Sequence, residues 1–278
     1  TSVVCHSLSD VPDIIDTWNE GKVIDVEGYY ENAKINRVYV DRVHVKKAFA
    51  EYTAAYNADD PKIKLKIEHT YRVAALCERI AKAAGMCAYD VELAWLSGML
   101  HDVGRFEQIK RYNTFSDADS VDHAKFGADL LFKDGLISTF LNGMVKCTGY
   151  KPGALEERYG SDGVFLYDRL NKSDMEMLEL AIRCHNMYRI PQGLNRREQA
   201  FCNVLRDADK VDIFKVNIDT PLEEIYNTTT EELMKSDITD EVLEAFDEEH
   251  CILKAIRRTP ADTVIGHVSL AYELVYDE

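Results

Sequence analysis

The chain has 278 residues, 46% of them apolar, with only six prolines and fourteen glycines. So few turn-forming residues exclude a many-turned β architecture and favour helix, in one large domain with an appendage. A formal charge of −16 excludes non-specific attachment along nucleic acid backbones, which needs a basic face. It leaves room for a small phosphorylated substrate, because a bound metal reverses the local field.

Seven scattered cysteines, odd in number and without a CxxC pair, point to reduced thiols in a cytoplasmic protein. With no run of about 18 apolar residues, no membrane span is expected, and no signal-peptide pattern is read.

Residues 1–40 mix short apolar runs with Gly and Asn (VIDVEGYYENAKIN) and are expected to form an irregular N-terminal appendage. From 41 to 278 the text is helical. DRVHVKKAFAEYTAAYNA is the first helix, and ADDPK breaks it. LKIEHTYRVAALCERIAKAAG follows, with Val73, Leu76, Ile80 and Ala84 on one face and Gly85 as its C-cap. AYDVELAWLSGMLHDV is the third, with Asp90 as its cap. Residues 104–120 read as a polar loop. SVDHAKFGADLLF resumes a helix capped by Ser120, and 147–173 reads as an irregular, lid-like insertion. SDMEMLELAIRCHN has a capping-box spelling at Ser173 and Glu176. IPQGLN is a turn, and RREQAFCNVLRDADKVDIFKV is helical. Acidic amphipathic segments at 221–236 and 239–258 form a C-terminal helical extension and offer a surface for a homodimer; the VSLAYELVY tail is ambiguous.

Ionisable residues on the apolar stripes carry the functional signal. His69 shares a face with Val73, Leu76 and Ile80, and His123 with Phe126, Gly127 and Leu130. His185 shares one with Leu178, Ala181 and Ile182, and Asp209 with Cys202, Leu205 and Ile213. His101 and Asp102 end the stripe of the third helix. The i, i+3, i+4 and i+7 spacing turns each of these side chains inward. Burying a carboxylate without a partner is costly. One common partner satisfies them all: a divalent metal of the Fe, Mn, Zn, Mg or Ni kind, since His and Asp without Cys disfavour a soft thiolate site.

The stretches EHTYRVAALCERIA, LSGMLHDVGRFEQ, VDHAKFGADLL, AIRCHN and LRDADKVDIF, in the order H…HD…H…H…D over residues 64–216, resemble the HD-domain metal-dependent phosphohydrolases. The resemblance implies an all-α HD-domain helical bundle. It assigns the primary metal site to His69, His101, Asp102 and Asp209, with Asp207 as the second choice for the last ligand within RDADKVD. His123 and His185 match the additional ligands of two-metal members, with Asp102 as the bridge. The two-metal phosphodiesterase branch often has a histidine doublet where this chain reads Cys184-His185, so one or two ions are implied.

A divalent ion lowers the pKa of water and so makes a nucleophile at neutral pH, and two ions clamp attacking and leaving oxygens. Asp102 is then expected to bridge and to accept a proton. Arg105, after HDVG, and Lys210, after the last ligand, match basic residues that contact phosphate in the family. Tyr112, Asn113 and Phe115, in the loop 105–122, are candidates to meet a sugar or base. Lys110 and Arg111 read as a solvated cluster, and His6, His44, His250 and His267 as structural or surface residues. The leading reading is a phosphomonoesterase or phosphodiesterase acting on a nucleotide or another small phosphorylated molecule. The alternatives are a di-iron oxygenase of the same superfamily and a non-catalytic nucleotide-binding module.

Overall fold

The computed structural model describes residues 35–38, 40–57, 59–141, 164–167, 170, 172–221, 223, 225 and 228–276. Residues 1–34 of the expected appendage and most of the 147–173 insertion, with its lid reading, lie outside the described residues. The described architecture is all-α, with one short parallel pair of strands, β1 (Ile35–Val38) and β2 (Val164–Tyr167), in the register Ile35 to Val164.

The helices are α1 (Arg42–Thr53), α2 (Pro61–Ala83), α3 (Ala88–Leu100), α4 (Val103–Tyr112), α5 (His123–Ala128) and α6 (Ile137–Phe140). They continue with α7 (Lys172–Cys184), α8 (Arg196–Asp219), α9 (Thr230–Lys235), α10 (Asp240–Asp247) and α11 (Pro260–Val268). Among the described residues no helix is long and apolar enough to cross a membrane.

α2 starts where ADDPK was read as a break: Asp60 accepts from the Lys62 amide, and Pro61 occupies the first turn, where its missing N–H costs nothing. It stops at Gly85, whose φ of +71° suits a residue without Cβ, with Met86 N–H bonded back to the Ala81 carbonyl. α3 is the central helix. Every residue from Leu93 to Leu100 is buried, as expected of a helix covered on all sides. It packs most extensively on α2, and the crossing is close at Gly98, where a Cβ would lie 2.6 Å from the Ala74 Cα.

The polar loop expected over 104–120 is shorter. The chain breaks at Asp102 (φ −105°, ψ 14°) and enters α4 at once. Phe106 and Ile109, three residues apart, bury the inner face of α4, and Asn113 ends it in the left-handed conformation. α5 is capped by Asp122, which accepts from the Lys125 amide, rather than by Ser120, whose hydroxyl bonds the Ser116 carbonyl. Asp90 is not the cap of α3; that position is Cys87, and Asp90 instead accepts from Arg197 on α8. Ser173 lies inside α7 rather than before it. α8 begins at a capping box of Asn195 and Glu198.

The two acidic C-terminal segments are shorter and more broken than their periodicity predicts, because Thr229 caps α9 and Glu249, at φ 55°, turns the chain just beyond α10. Buried Asp262 organises this extension by accepting from the amides of Thr239, Arg258 and Thr259. The tail adds a 3-10 turn, Ser269–Glu273, and then runs back along α8.

Candidate metal centre

The four inward-facing histidines converge from four separate places. His69 lies in the middle of α2, His101 just past the end of α3, His123 at the first position of α5, and His185 just past the end of α7. All four are buried, as is Asp102. Their rings form a chain: His69 to His101 is 5.3 Å between centroids, His101 to His185 is 5.1 Å, and His185 to His123 is 5.0 Å.

Every Nδ1 is engaged on the outside of this cluster. His69 Nδ1 lies 2.6 Å from Asp212 Oδ2, and His123 Nδ1 lies 2.7 Å from Asp117 Oδ2. His101 Nδ1 reaches the Gly98 carbonyl at 2.8 Å and His185 Nδ1 the Ile182 carbonyl at 2.7 Å, each three residues back. Those carbonyls belong to the last turns of α3 and α7, where acceptors lack intrahelical partners. An Nδ1–H donated outward leaves Nε2 with a bare lone pair, which is the form in which imidazole binds metals.

The four Nε2 atoms point at one another. His69 Nε2 and His101 Nε2 are 3.3 Å apart, and His123 Nε2 and His185 Nε2 are 3.0 Å apart. Asp102 stands between the pairs. Its Oδ2 is 3.5 Å from His69 Nε2 and 3.6 Å from His101 Nε2, while its Oδ1 is 3.5 Å from His123 Nε2 and 3.9 Å from His185 Nε2. Asp209 Oδ1 closes the first half, 3.2 Å from His69 Nε2 and 3.8 Å from His101 Nε2. Donors about 2.1 Å from an ion sit about 3.0 Å apart in an octahedron and about 3.4 Å apart in a tetrahedron. Separations of this order let groups of these donors hold a divalent ion.

The charges agree with this. Burial opposes ionisation of Asp102, but Lys66, His101, His123 and Arg105 hold its carboxyl well below the usual range. Asp209 is likewise held low by His69, His101 and His185 against its burial. Burial pushes His123 and His185 down to about 4, so both are neutral at pH 7. Burial and Lys66 oppose a proton on His69, yet Asp209 and Asp212 outweigh them and raise its pKa. The gap between His69 Nε2 and Asp209 Oδ1 thus attracts positive charge.

The three aspartates of RDADKVD take three different positions. Asp209 joins the cluster. Asp212, one turn on and on nearly the same face, orients His69 and accepts Arg72 Nε at 2.6 Å. Asp207 faces away and accepts the Val275 and Tyr276 amides. Lys210 is not brought to the cluster either. It lies one residue past Asp209, about 100° around the helix, and its ammonium bonds the Glu273 carbonyl and carboxylate at 3.2 Å each. That position corrects its expected contact with phosphate.

Arg105 does border the cluster. Its Nε lies 3.8 Å from Asp102 Oδ1 and has no hydrogen-bond partner, while Nη1 bonds the Phe115 carbonyl and Asp117. Lys110 and Arg111 pair with Glu107, and Tyr112 is exposed. His44 bonds the Thr139 carbonyl, His250 pairs with Glu248, and His267 lies against Asn217; His6 is outside the described residues.

Sequence reasoning missed Lys66 and Asp117, and read Asp212 only as one of the three aspartates offered for the last ligand. Lys66 Nζ sits 2.8 Å from Asp102 Oδ2, and Lys66 and Arg105 lie 5.9 and 5.8 Å from the Phe115 ring centre. The signal for Lys66 was its place one turn before His69, and for Asp212 its place one turn after Asp209. Asp117 sits in a loop, where no periodicity marks it.

The HD domain family model matches residues 67–217, more than half of the chain. No curated protein and no solved structure matches it. The matched span opens just before His69 and closes just after Asp212, so sequence family and side-chain geometry point to the same cluster: the chain belongs to the HD-domain family, within the superfamily of metal-dependent phosphohydrolases.

Proposed function

We propose that this protein hydrolyses a phosphate ester of a nucleotide or another small phosphorylated molecule, using two divalent ions. His69, His101, Asp209 and Asp102 would hold one ion, and His123 and His185, with Asp102 shared, would hold the other. The observation that carries the reading is the outward engagement of all four Nδ1 atoms around a carboxylate whose two oxygens face opposite halves of the cluster.

When bound, such ions supply water activated at neutral pH and positive charge for the phosphate oxygens. The chain's own residues do the rest. Asp102 fixes the spacing of the two halves. Lys66 and Arg105, on either side of it, offer donors to phosphate oxygens. Phe115 presents an apolar ring within 6 Å of both cations, suited to the flat part of an ester such as a base.

The ligand set alone also suits the oxygenase reading. Two cationic side chains beside the bridging carboxylate favour an anionic substrate, and so the hydrolase.

The test is metal analysis of the purified chain, followed by phosphate release from nucleotides and sugar phosphates with Mn, Fe, Mg and Ni. Release that is lost on Asp102→Asn is expected. Bound metal with no release from any phosphorylated compound would overturn the proposal.

A further inference from the structure

Asp117 stands outside the cluster, yet it accepts from four side chains. Its Oδ2 lies 2.7 Å from His123 Nδ1 and 3.3 Å from Asn186 Nδ2; its Oδ1 takes Arg105 Nη1 at 2.8 Å and Gln108 Nε2 at 3.0 Å. Gln108 is fully buried and also bonds Ser120 and the Val121 carbonyl, which fastens the loop before α5.

The four imidazoles are not oriented alike. His101 and His185 are set by the carbonyls of their own helices, and His69 by Asp212 from the long helix α8. His123 alone depends on a carboxylate from a loop.

The two halves of the cluster also differ in charge. The first has Asp209 to itself and shares Asp102. The second has only its share of Asp102 and two imidazoles, with no carboxylate of its own, and the Arg105 guanidinium stands 3.8 Å from the Asp102 oxygen that serves it. An ion there meets a fixed positive neighbour. Asp117 answers that charge, because it pairs with Arg105 at 2.8 Å while polarising His123 from behind.

We infer that Asp117 is the positioning residue that gives the second ion site its affinity: it fixes the His123 tautomer and neutralises Arg105, so that site binds an ion tightly only while this carboxylate is in place. The inference rests on the two-ion reading above.

Removing a carboxylate partner of a metal-binding histidine usually weakens the metal by about 10–100-fold. Calorimetric titration of the metal-free full chain with Mn²⁺ reads this directly, without any turnover. The parent is expected to take two equivalents. Asp117→Asn is expected to keep the first at parental affinity and to bind the second about 10–100-fold more weakly. Asp117→Ser, which leaves no amide to bond Arg105, is expected to behave the same way, and unchanged melting of both metal-free variants shows that they fold.

Adding Arg105→Gln to Asp117→Asn removes the uncompensated guanidinium, so part of the lost affinity should return; a merely structural role would not produce that recovery. Two parental equivalents in Asp117→Asn, or no recovery in the double variant, would overturn the inference while leaving the hydrolase reading standing. A parent that takes up none of Mn²⁺, Fe²⁺, Mg²⁺ and Ni²⁺ would overturn both.

Discussion

Replacing Gly104 with alanine puts a methyl carbon 2.4 Å from the His123 carbonyl oxygen, 2.7 Å from the Gly127 amide nitrogen and 2.9 Å from the Gly127 Cα. All three are backbone atoms of α5, so no flexible side chain can swing aside. Ordinary contact begins near 3.4 Å, so α5 must retreat from α4 by about 1 Å, an overpacking that typically costs about 1–3 kcal/mol. In a chain of this size that is several degrees of Tm. The retreat also carries His123, the first residue of α5, out of place, and ligand distances tolerate only about 0.2 Å. Gly104→Ala should therefore melt lower without metal and take up one Mn²⁺ equivalent rather than two. Gly98→Ala, nearly as tight against Ala74, should melt lower for the same reason, but through the α2–α3 crossing. A Gly104→Ala chain that melts like the parent and binds two ions would refute the reasoning.

Asp102→Asn should abolish metal uptake as well as turnover, since both halves of the cluster use its oxygens; metal analysis after dialysis checks it, and full metal content with no turnover would instead favour a proton-accepting role. Asp207→Ala should cost about 1–3 kcal/mol by orphaning the Val275 and Tyr276 amides. Proteolysis should then trim the C-terminal tail faster, with metal stoichiometry unchanged. Burial, and then Arg257 and Lys254, push His267 down to about 4, against about 6.5 unfolded. The unfolded chain takes that proton first, so this contribution to stability is full above about pH 6.5 and is lost as pH falls toward 4, by up to about 3 kcal/mol. In metal-free denaturation series, His267→Asn should show a shallower fall over that window; parallel curves would refute the assignment.

The cluster was legible because helical periodicity marks polar residues on apolar faces. His69 and Asp209 sit within long helices, α2 and α8, whose stripes leave little doubt about which way they point. Periodicity alone left Asp207 and Asp209 both open, because 207 lies on a face that is buried too, against the returning tail; the family resemblance chose Asp209. Periodicity does not show where a helix stops when the next begins at once. The junction at Asp102 hid α4, although Phe106 and Ile109 carried its signature. Caps read at Asp90, Ser120 and Ser173 missed because a capping side chain has several polar neighbours within one turn, and the tertiary partner decides among them. Lys210 misled because adjacency along a helix is not adjacency in space. Asp117 was invisible because a loop has no periodicity to show which way its side chains point, although Arg105, Gln108 and His123 all lie within 12 residues of it.

The histidines at the ends of α3 and α7 take their tautomer from backbone carbonyls that every helix leaves over. No side-chain substitution can rewrite that setting without shortening or lengthening the helix itself. His69 and His123 answer instead to Asp212 and Asp117, which a single codon can change. Half of the imidazole set is thus hard-wired and half adjustable, one of each on either side of Asp102. Variation in metal preference among chains built on this plan should accumulate at the two outer aspartates, while the helix ends stay fixed in length.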